Sequence, residues 1–416
     1  MLSLAKSLIY RPSLLSQSKT LALILTQRCS YVNVTMKWKK DPYFDSIDIL
    51  TKSKDLKILI SVKNLILSLS PPETGIPISS ISKLDRQLEV SGRVTAFLRK
   101  YPSFFQEFTG PKYNLPWFKL TKDAIELDQE ERMVYEGKIG QIVDRLRLLL
   151  LMSRERTLPF RVVQGMLWYL GLPDNFLKNQ EKLLHFGFEI VEIGDGEKGL
   201  KAPDPGQTLP LSALQRNAIN ESGTQLDLLS RSDIHFPLFP SKGIRLKVKI
   251  RDWLDQLQKV PYISPYEDFS DLETYSDVAE KRAAGVLHEL LSIFVDNSAE
   301  RRRLLCLRKH LGLPQKCHKV FERHPHVFYL LLKNKTCFVV LKEAYQANEL
   351  GSVIKRHPLL NVRKKYVKLM KKSDATLRNR RTGKPVSDLN EFGIFLHANL
   401  PVLRKMRLLH QPKMRD

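Results

Sequence analysis

Three sets of residues in this sequence have types and spacings that could do chemistry. Gly194, Gly196 and Gly199 match G-x-G-x-x-G. That pattern holds a dinucleotide only when a helix follows, with its N-terminus facing the pyrophosphate. Here Leu200-Lys201-Ala202-Pro203-Asp204-Pro205 follows, and two prolines at that spacing do not open such a helix. Asp195-Gly196 between apolar runs predicts a hairpin turn instead. The second set is Cys306, His310, Cys317, His318, His324, His326 and Cys337. Cys306 and His310 are four apart and could share a helix face. There is no C-x-x-C, and the spacings fit no common zinc module. Buried Cys and packing His are the expectation, with no metal and no cofactor. No P-loop, G-x-S-x-G or H-E-x-x-H occurs, and no carboxylate pair is placed by spacing as acid and base. No catalytic residue is assigned.

The third set is basic. Lys355 and Arg356 are followed by Arg363, Lys364, Lys365, Tyr366 and Lys368, then by Lys371, Lys372, Arg378, Arg380 and Arg381. Upstream lie Arg301, Arg302, Arg303, Arg308 and Lys309, and near the other end Lys37, Trp38, Lys39 and Lys40. Spacing of three and four puts Lys364, Lys368 and Lys371 near one helical face. Such a row neutralises phosphates and releases their counterions, giving affinity independent of sequence. Tyr366 and Trp38 could stack on unpaired bases.

A charge run is usually just a solvated face. Here the distribution argues for more. Lys+Arg number 68 against 44 Asp+Glu, a net charge of +24. Residues 1–40 hold seven basic and no acidic residues, and 351–416 hold 17 basic and four acidic. The remaining 310 residues hold 44 and 40. A nearly neutral body with basic ends favours a polyanionic partner.

The elements that must position these residues follow from composition and repeats. With 416 residues, 43% hydrophobic and 27% charged, the chain suits two or three globular domains and is not a disordered class. Four Cys exclude a disulfide scaffold and fit a reducing compartment. The longest apolar run, Val327 to Leu332, is far short of the ~20 residues of a membrane span.

A diverged repeat runs through the body. Leu170-Gly171-Leu172-Pro173 and Leu311-Gly312-Leu313-Pro314 each end a helical pattern at Gly and open a second helix of about ten residues at Pro. An apolar β-like run follows, Phe186 to Ile193 or Val327 to Leu332. A third copy, Phe97 to Phe108, lacks the Gly-Leu-Pro but shares bulky–x–basic–(Tyr/His)–Pro–x–x–Phe with Val320 to Phe328. Second apolar runs follow at Trp117–Leu120 and Cys337–Leu341, with Lys333-Asn334-Lys335 as a hairpin turn. The expected fold is mainly α with short β-hairpins (α+β). It is built of repeated winged-helix-like helix-turn-helix-hairpin modules near 40–130, 135–205 and 280–350. Ala202 to Gly223 reads as a loop or small inter-module segment, and Pro261 to Tyr266 as a second break. Seven acidic residues from Glu267 to Glu289 overlap a helical pattern from Ala279 to Phe294 and are expected to form a solvated face.

The first acidic residue is Asp41. Before it, Lys6, Arg11, Lys19 and Arg28 are spread among Leu and Ser. That is the pattern of an organellar transit peptide, placed at residues 1–31 and mitochondrial, with the chloroplast as the alternative.

Several phrases, in order, resemble the plant organelle RNA recognition (PORR) domain family. They begin with Lys39-Lys40-Asp41, Phe44-Asp45, and Phe97-Leu98-Arg99-Lys100-Tyr101-Pro102. Pro261-Tyr262, Ser264-Pro265-Tyr266, Glu280-Lys281-Arg282 and Gly285 to Leu291 follow. Arg323-His324-Pro325, Phe328-Tyr329, Leu341 to Tyr345 and Lys355-Arg356-His357-Pro358-Leu359 complete the series. The likeness places a PORR-type RNA-binding region at 32–370 and leaves 371–416 as a basic C-terminal extension. It implies an organellar protein that binds intron-containing transcripts, with other splicing factors as further partners, and supports group II intron splicing. It brings no catalytic residues. His326 departs from a frequent Gly, and Asn297-Ser298-Ala299 from a more basic stretch. The alternatives are an organellar ribosome or ribonucleoprotein assembly factor, or a metal-dependent RNA nuclease.

Overall fold

The computed structural model describes residues 40–382, apart from 72–73, 83–89, 91–92, 111–114, 195, 207, 224–230, 242–247, 274, 334–335 and 347–356. The chain falls into two compact units. The larger takes residues 1–60 with 126–367, the smaller 61–125 with 368–416. The expected transit peptide lies outside the described residues.

Two short helices come first, α1 (Pro42–Ser46) and α2 (Asp48–Thr51). Asp41 caps α1 by accepting the Tyr43 N–H, and Pro42 takes the first turn, where its missing N–H costs nothing. One order of elements then occurs three times. The first pass is α3 (Ser53–Leu69), β1 (Ile76–Pro77), α4 (Ile78–Ser82), α5 (Val94–Lys100), β2 (Phe105–Thr109) and β3 (Pro116–Leu120). The second is α6 (Lys122–Leu151), β4 (Thr157–Pro159), α7 (Phe160–Leu170), α8 (Gln180–His185), β5 (Glu189–Ile193) and β6 (Glu197–Lys201). Next come α9 (Ala213–Ser222) and α10 (Val248–Lys259). The third pass is α11 (Asp277–Ser292), β7 (Ser298–Glu300), α12 (Arg301–Cys306), α13 (His318–Arg323), β8 (Phe328–Lys333) and β9 (Thr336–Leu341). Helices α14 (Glu343–Gln346) and α15 (Pro358–Thr382) follow.

Each pass makes one three-stranded antiparallel sheet with its last strand in the middle: β1-β3-β2, β4-β6-β5 and β7-β9-β8. The fold is thus mainly helical with short β-hairpins, as expected. Lys333 pairs with Thr336, so β8 and β9 are antiparallel neighbours on either side of the expected turn, whose residues 334–335 lie outside the described residues. Ile193 faces Glu197, so the G-x-G-x-x-G stretch also closes a hairpin, with Gly196 at φ +72°.

Gly171 and Gly312 end their helical turns with φ of +86° and +60°, a conformation that side chains disfavour. The helices after the Pro residues are shorter than expected. In the second pass a 3₁₀ turn (Phe176–Lys178) comes first, and Asn179 restarts the chain by capping α8. In the third, α13 stops at Arg323 because His324 precedes Pro325, which disfavours helical backbone. Ala202 to Gly223 is more than a loop. Ser212 and Gln215 form a reciprocal capping box that starts α9, and Gly223 ends it.

In the larger unit the core surrounds α11, which is buried at every position from Lys281 to Leu291. Tyr262, Phe294, Phe321 and Phe328 are fully buried in that unit. The smaller unit buries Tyr101, Phe104 and Phe118. Among the described residues no helix is long and apolar enough to cross a membrane.

Candidate nucleic-acid interface

Helix α15 carries most of the described basic residues that the sequence singled out. Pro358 opens it, and His357 Nδ1 accepts the Leu359 N–H at 3.1 Å. Its apolar positions recur at helical spacing: Leu359, Leu360, Val362, Tyr366, Val367, Leu369 and Met370 are buried. The opposite stripe is exposed and holds Lys364, Lys365, Lys368, Lys371 and Lys372. Over 25 residues the helix extends about 37 Å. Arg378, Arg380 and Arg381 are exposed in its last turns, where positive charge suits the helix dipole.

Two residues expected to contact RNA lie inside instead. Arg363 is 6% exposed. Its guanidinium donates to Asp296 Oδ2 at 2.9 Å and to the Trp168 carbonyl at 2.6 Å, and lies 3.9 Å from the Trp168 ring centroid. Tyr366 is 0% exposed and donates its hydroxyl to Glu131 Oε2 at 2.9 Å. Burial, then the Glu131 charge, pushes that phenol far above its ordinary range. Neither side chain can meet a phosphate or a base without unpacking the helix.

The exposed lysines are partly paired. In the larger unit Lys365 Nζ reaches both Glu130 oxygens, at 2.6 and 2.7 Å. In the smaller unit Lys372 Nζ reaches Asp123 Oδ2 at 3.0 Å. Exposed pairs contribute little, about 0–1 kcal/mol, so a phosphate can displace either carboxylate.

The remaining candidates are dispersed. Arg302 is exposed and bonds Glu300, while Arg301 and Arg303 are half-buried on α12. Arg308 donates to the Gln315 carbonyl at 3.1 Å, and Lys309 is exposed. Lys40 is exposed and pairs with Asp45 at 3.1 Å. Lys37, Trp38, Lys39, Lys355 and Arg356 lie outside the described residues. Among the described residues no group of three or more His, Cys, Asp or Glu is placed to hold a metal ion.

The acidic stretch read as a solvated face turns inward at its end. Glu289 accepts the Ala213 N–H at 2.6 Å and the Tyr266 hydroxyl at 2.8 Å. Glu280 accepts from Arg323 Nε at 2.7 Å and meets His324 Nε2 at 3.2 Å. Burial opposes its ionisation, but His324 and Arg323 outweigh that and hold the carboxyl below its ordinary range. Glu343 is held low in the same sense, against burial, by His288 Nε2 at 2.8 Å and Asn217 Nδ2 at 2.9 Å. Lys281 donates to the Gln258 and Val260 carbonyls, and Lys342 to the Phe239 carbonyl and Ser241. Burial brings both amines down to about 8. Glu280, Lys281, Glu289, Arg323, His324, Lys342 and Glu343 belong to the phrases that carry the family resemblance, and their side chains hold the interior together. The solvent stripe of α15 is made of other residues.

The sequence profile of the plant organelle RNA recognition domain matches residues 39–375. The chain is 53% identical to Protein WHAT'S THIS FACTOR 9, mitochondrial, of Arabidopsis thaliana, over 86% of this chain and 90% of that one. It is 28% identical to Protein WHAT'S THIS FACTOR 1, chloroplastic, of Zea mays, over 76% of this chain and 63% of the relative. It is 28% identical to Protein ROOT PRIMORDIUM DEFECTIVE 1 of Arabidopsis thaliana, over 71% and 75%. No solved structure matches it.

Proposed function

This chain belongs to the plant organelle RNA recognition domain family, and on that premise we propose that it is a mitochondrial RNA-binding protein that promotes group II intron splicing. It holds intron RNA in a splicing-competent shape, and the RNA and other factors supply the chemistry. The mitochondrial assignment rests on the leader composition and on the relative named mitochondrial, which is 53% identical.

The observation that carries the RNA-binding mode is the exposed lysine stripe of α15, set on a face that the core does not use. Those amines grip phosphates without reading sequence, and specificity comes from unpaired bases or RNA shape. The test is binding of the full chain to an intron RNA across a salt series. Affinity falls steeply with salt. In the variant with Lys364→Glu, Lys368→Glu and Lys371→Glu the log–log slope shallows by about 2, from about 0.7 per phosphate contact on single strands. An unchanged slope removes the stripe as the phosphate-binding face. In parallel, the protein immunoprecipitated from mitochondria carries one or a few intron-containing precursors. Enrichment of ribosomal RNA instead points to ribosome assembly. Mg²⁺-dependent cleavage by the purified chain, abolished by one carboxylate change, points to a nuclease.

A further inference from the structure

The three sheets present one position three times within one chain. Backbone register aligns Phe108–Trp117 in the first hairpin with Val191–Gly199 in the second and Leu331–Phe338 in the third. Strand alternation puts each pair on one face of its sheet. In the first sheet the opposite face holds Ile76, Phe105, Phe118 and Leu120, all buried.

The three faces have different fates. In the third sheet Leu331 and Phe338 are buried, and Phe44 of α1 stacks on the neighbouring Tyr329 with centroids 4.5 Å apart. In the second, the Ile193 side chain fills the space that a Cβ on Gly199 would need, and Lys201 pairs with Glu189 at 2.9 Å beside it. In the first, Phe108 and Trp117 are half-buried rings with centroids 6.2 Å apart, and Lys119 Nζ lies 5.6 Å from the Phe108 centroid. The Trp117 indole sits so close to Gly110 that a Cβ there would fall 1.8 Å from Nε1. The ring thus packs directly against the Gly110 backbone.

A sheet face turned to water ordinarily carries polar residues. Two half-buried rings with an amine beside them have the composition that takes stacked bases and their phosphates. Charge favours the same occupant. The smaller unit, which contains this sheet, holds 21 basic and nine acidic residues, half of the chain's net +24 in 114 of its 416 residues. Within that unit the Ser103 N–H, next to the strand β2, donates to Ser373 Oγ of α15 at 3.0 Å, so Lys368, Lys371 and Lys372 of α15 and the sheet belong to one compact unit.

We infer that Phe108, Trp117 and Lys119, on the outer face of the β1-β3-β2 sheet, form a stacking site for unpaired bases of RNA. This rests on the RNA-binding reading above and adds where bases, as distinct from phosphates, are held.

The test uses the full chain with a fluorescein-labelled oligouridine of about 16 nucleotides, within the range of single-strand sites, and an RNA duplex of equal length. Trp117→Leu and Phe108→Leu each weaken single-strand binding about 5- to 150-fold, the loss expected for one stacked base. They leave the salt slope and duplex binding unchanged, because no phosphate contact is removed. Trp117→Phe keeps most of the affinity. Thermal unfolding of each variant separates lost stacking from lost fold. Independently of any variant, oligouridine carrying 4-thiouridine crosslinks to the peptide that contains Trp117. If the folded leucine variants bind as wild type and no crosslink maps to β2 or β3, the inference falls alone. If the wild-type chain binds neither RNA, the RNA-binding reading falls with it.

Discussion

Replacing Arg363 by Ala separates charge that supports the fold from charge that meets RNA. Its partner Asp296 is 3% exposed, and one of that carboxylate's oxygens already has no hydrogen bond. Truncation therefore strands a buried anion, and breaking such a pair costs about 3–5 kcal/mol. Loss of the stacking on Trp168 adds about 0.5–2 kcal/mol. The sum is a large part of the 5–15 kcal/mol that holds a typical domain. At roughly 2–4 °C per kcal/mol, the melting temperature should fall by about 7–28 °C. Circular dichroism melts measure that directly. Asp296→Ala in the Arg363→Ala background should cost far less than the sum of the two single changes, since neither charge is then left alone. Below its melting temperature the Arg363→Ala protein should bind RNA with the wild-type salt slope. A variant that melts like wild type but binds RNA with a shallower slope would refute the reasoning, because Arg363 would then be a phosphate contact and not a packing residue.

His357 should give the larger unit an acid-side pH dependence. Burial, and then the Arg145 and Arg363 charges, lower its folded pKa to about 3, against about 6.5 in an unfolded chain. The native state therefore binds fewer protons in that window. Stability is full above about pH 6.5 and declines by up to ~1.4 kcal/mol per pH unit as pH falls towards 3. Urea melts between pH 7 and 5 should show a slope that His357→Gln reduces, and an equal slope in both proteins would count against it. Gly312→Ala should destabilise more than Gly196→Ala. Both sites have positive φ, but a Cβ at Gly312 would lie 2.0 Å from the Phe269 ring, whereas the Gly196 site is open. Gly196→Ala should therefore cost about 1 kcal/mol, the left-handed penalty alone. Equal melting temperatures for the two variants would mean that Phe269 simply moves aside.

What the sequence revealed depended on whether a residue's role is local. Gly171 and Gly312 signalled helix ends because one backbone conformation there excludes other residues. The turn at Gly196, with φ +72°, was readable for the same reason. Strand β6 was not, since Glu-Lys-Gly-Leu-Lys has too few apolar residues to alternate visibly. Strands β1, β4 and β7 are two or three residues long and exist only because a hairpin pairs with them. Helix α9 was hidden by the prolines before it, although Ser212-x-x-Gln215 is a start signal.

The candidate site was legible as a charge count and illegible as a surface. Arg363 and Lys364 are adjacent and look alike in sequence, yet one is buried and the other exposed. Only the helix phase, set by what α15 packs against, separates them. The motifs that made the family recognisable are largely interior: Tyr266 with Glu289, His288 with Glu343, Arg323 with Glu280. A buried ion admits few replacements for itself or its partner, whereas exposed lysines substitute for one another.

The capping of the third sheet by α1 sets an order in time. The Asp41 N–H donates to the Tyr329 hydroxyl 288 positions later, and the Ser103 N–H to Ser373 across 270. Each compact unit therefore needs a late stretch of chain before it can close. Contacts this remote slow folding, because the loop entropy must be overcome before they form. A chain that crosses a membrane N-terminus first and unfolded would hold Phe44 without its ring partner until nearly the last fifth of its length had arrived. Delivery and folding are then successive events, and the interval between them is when this protein most needs a chaperone.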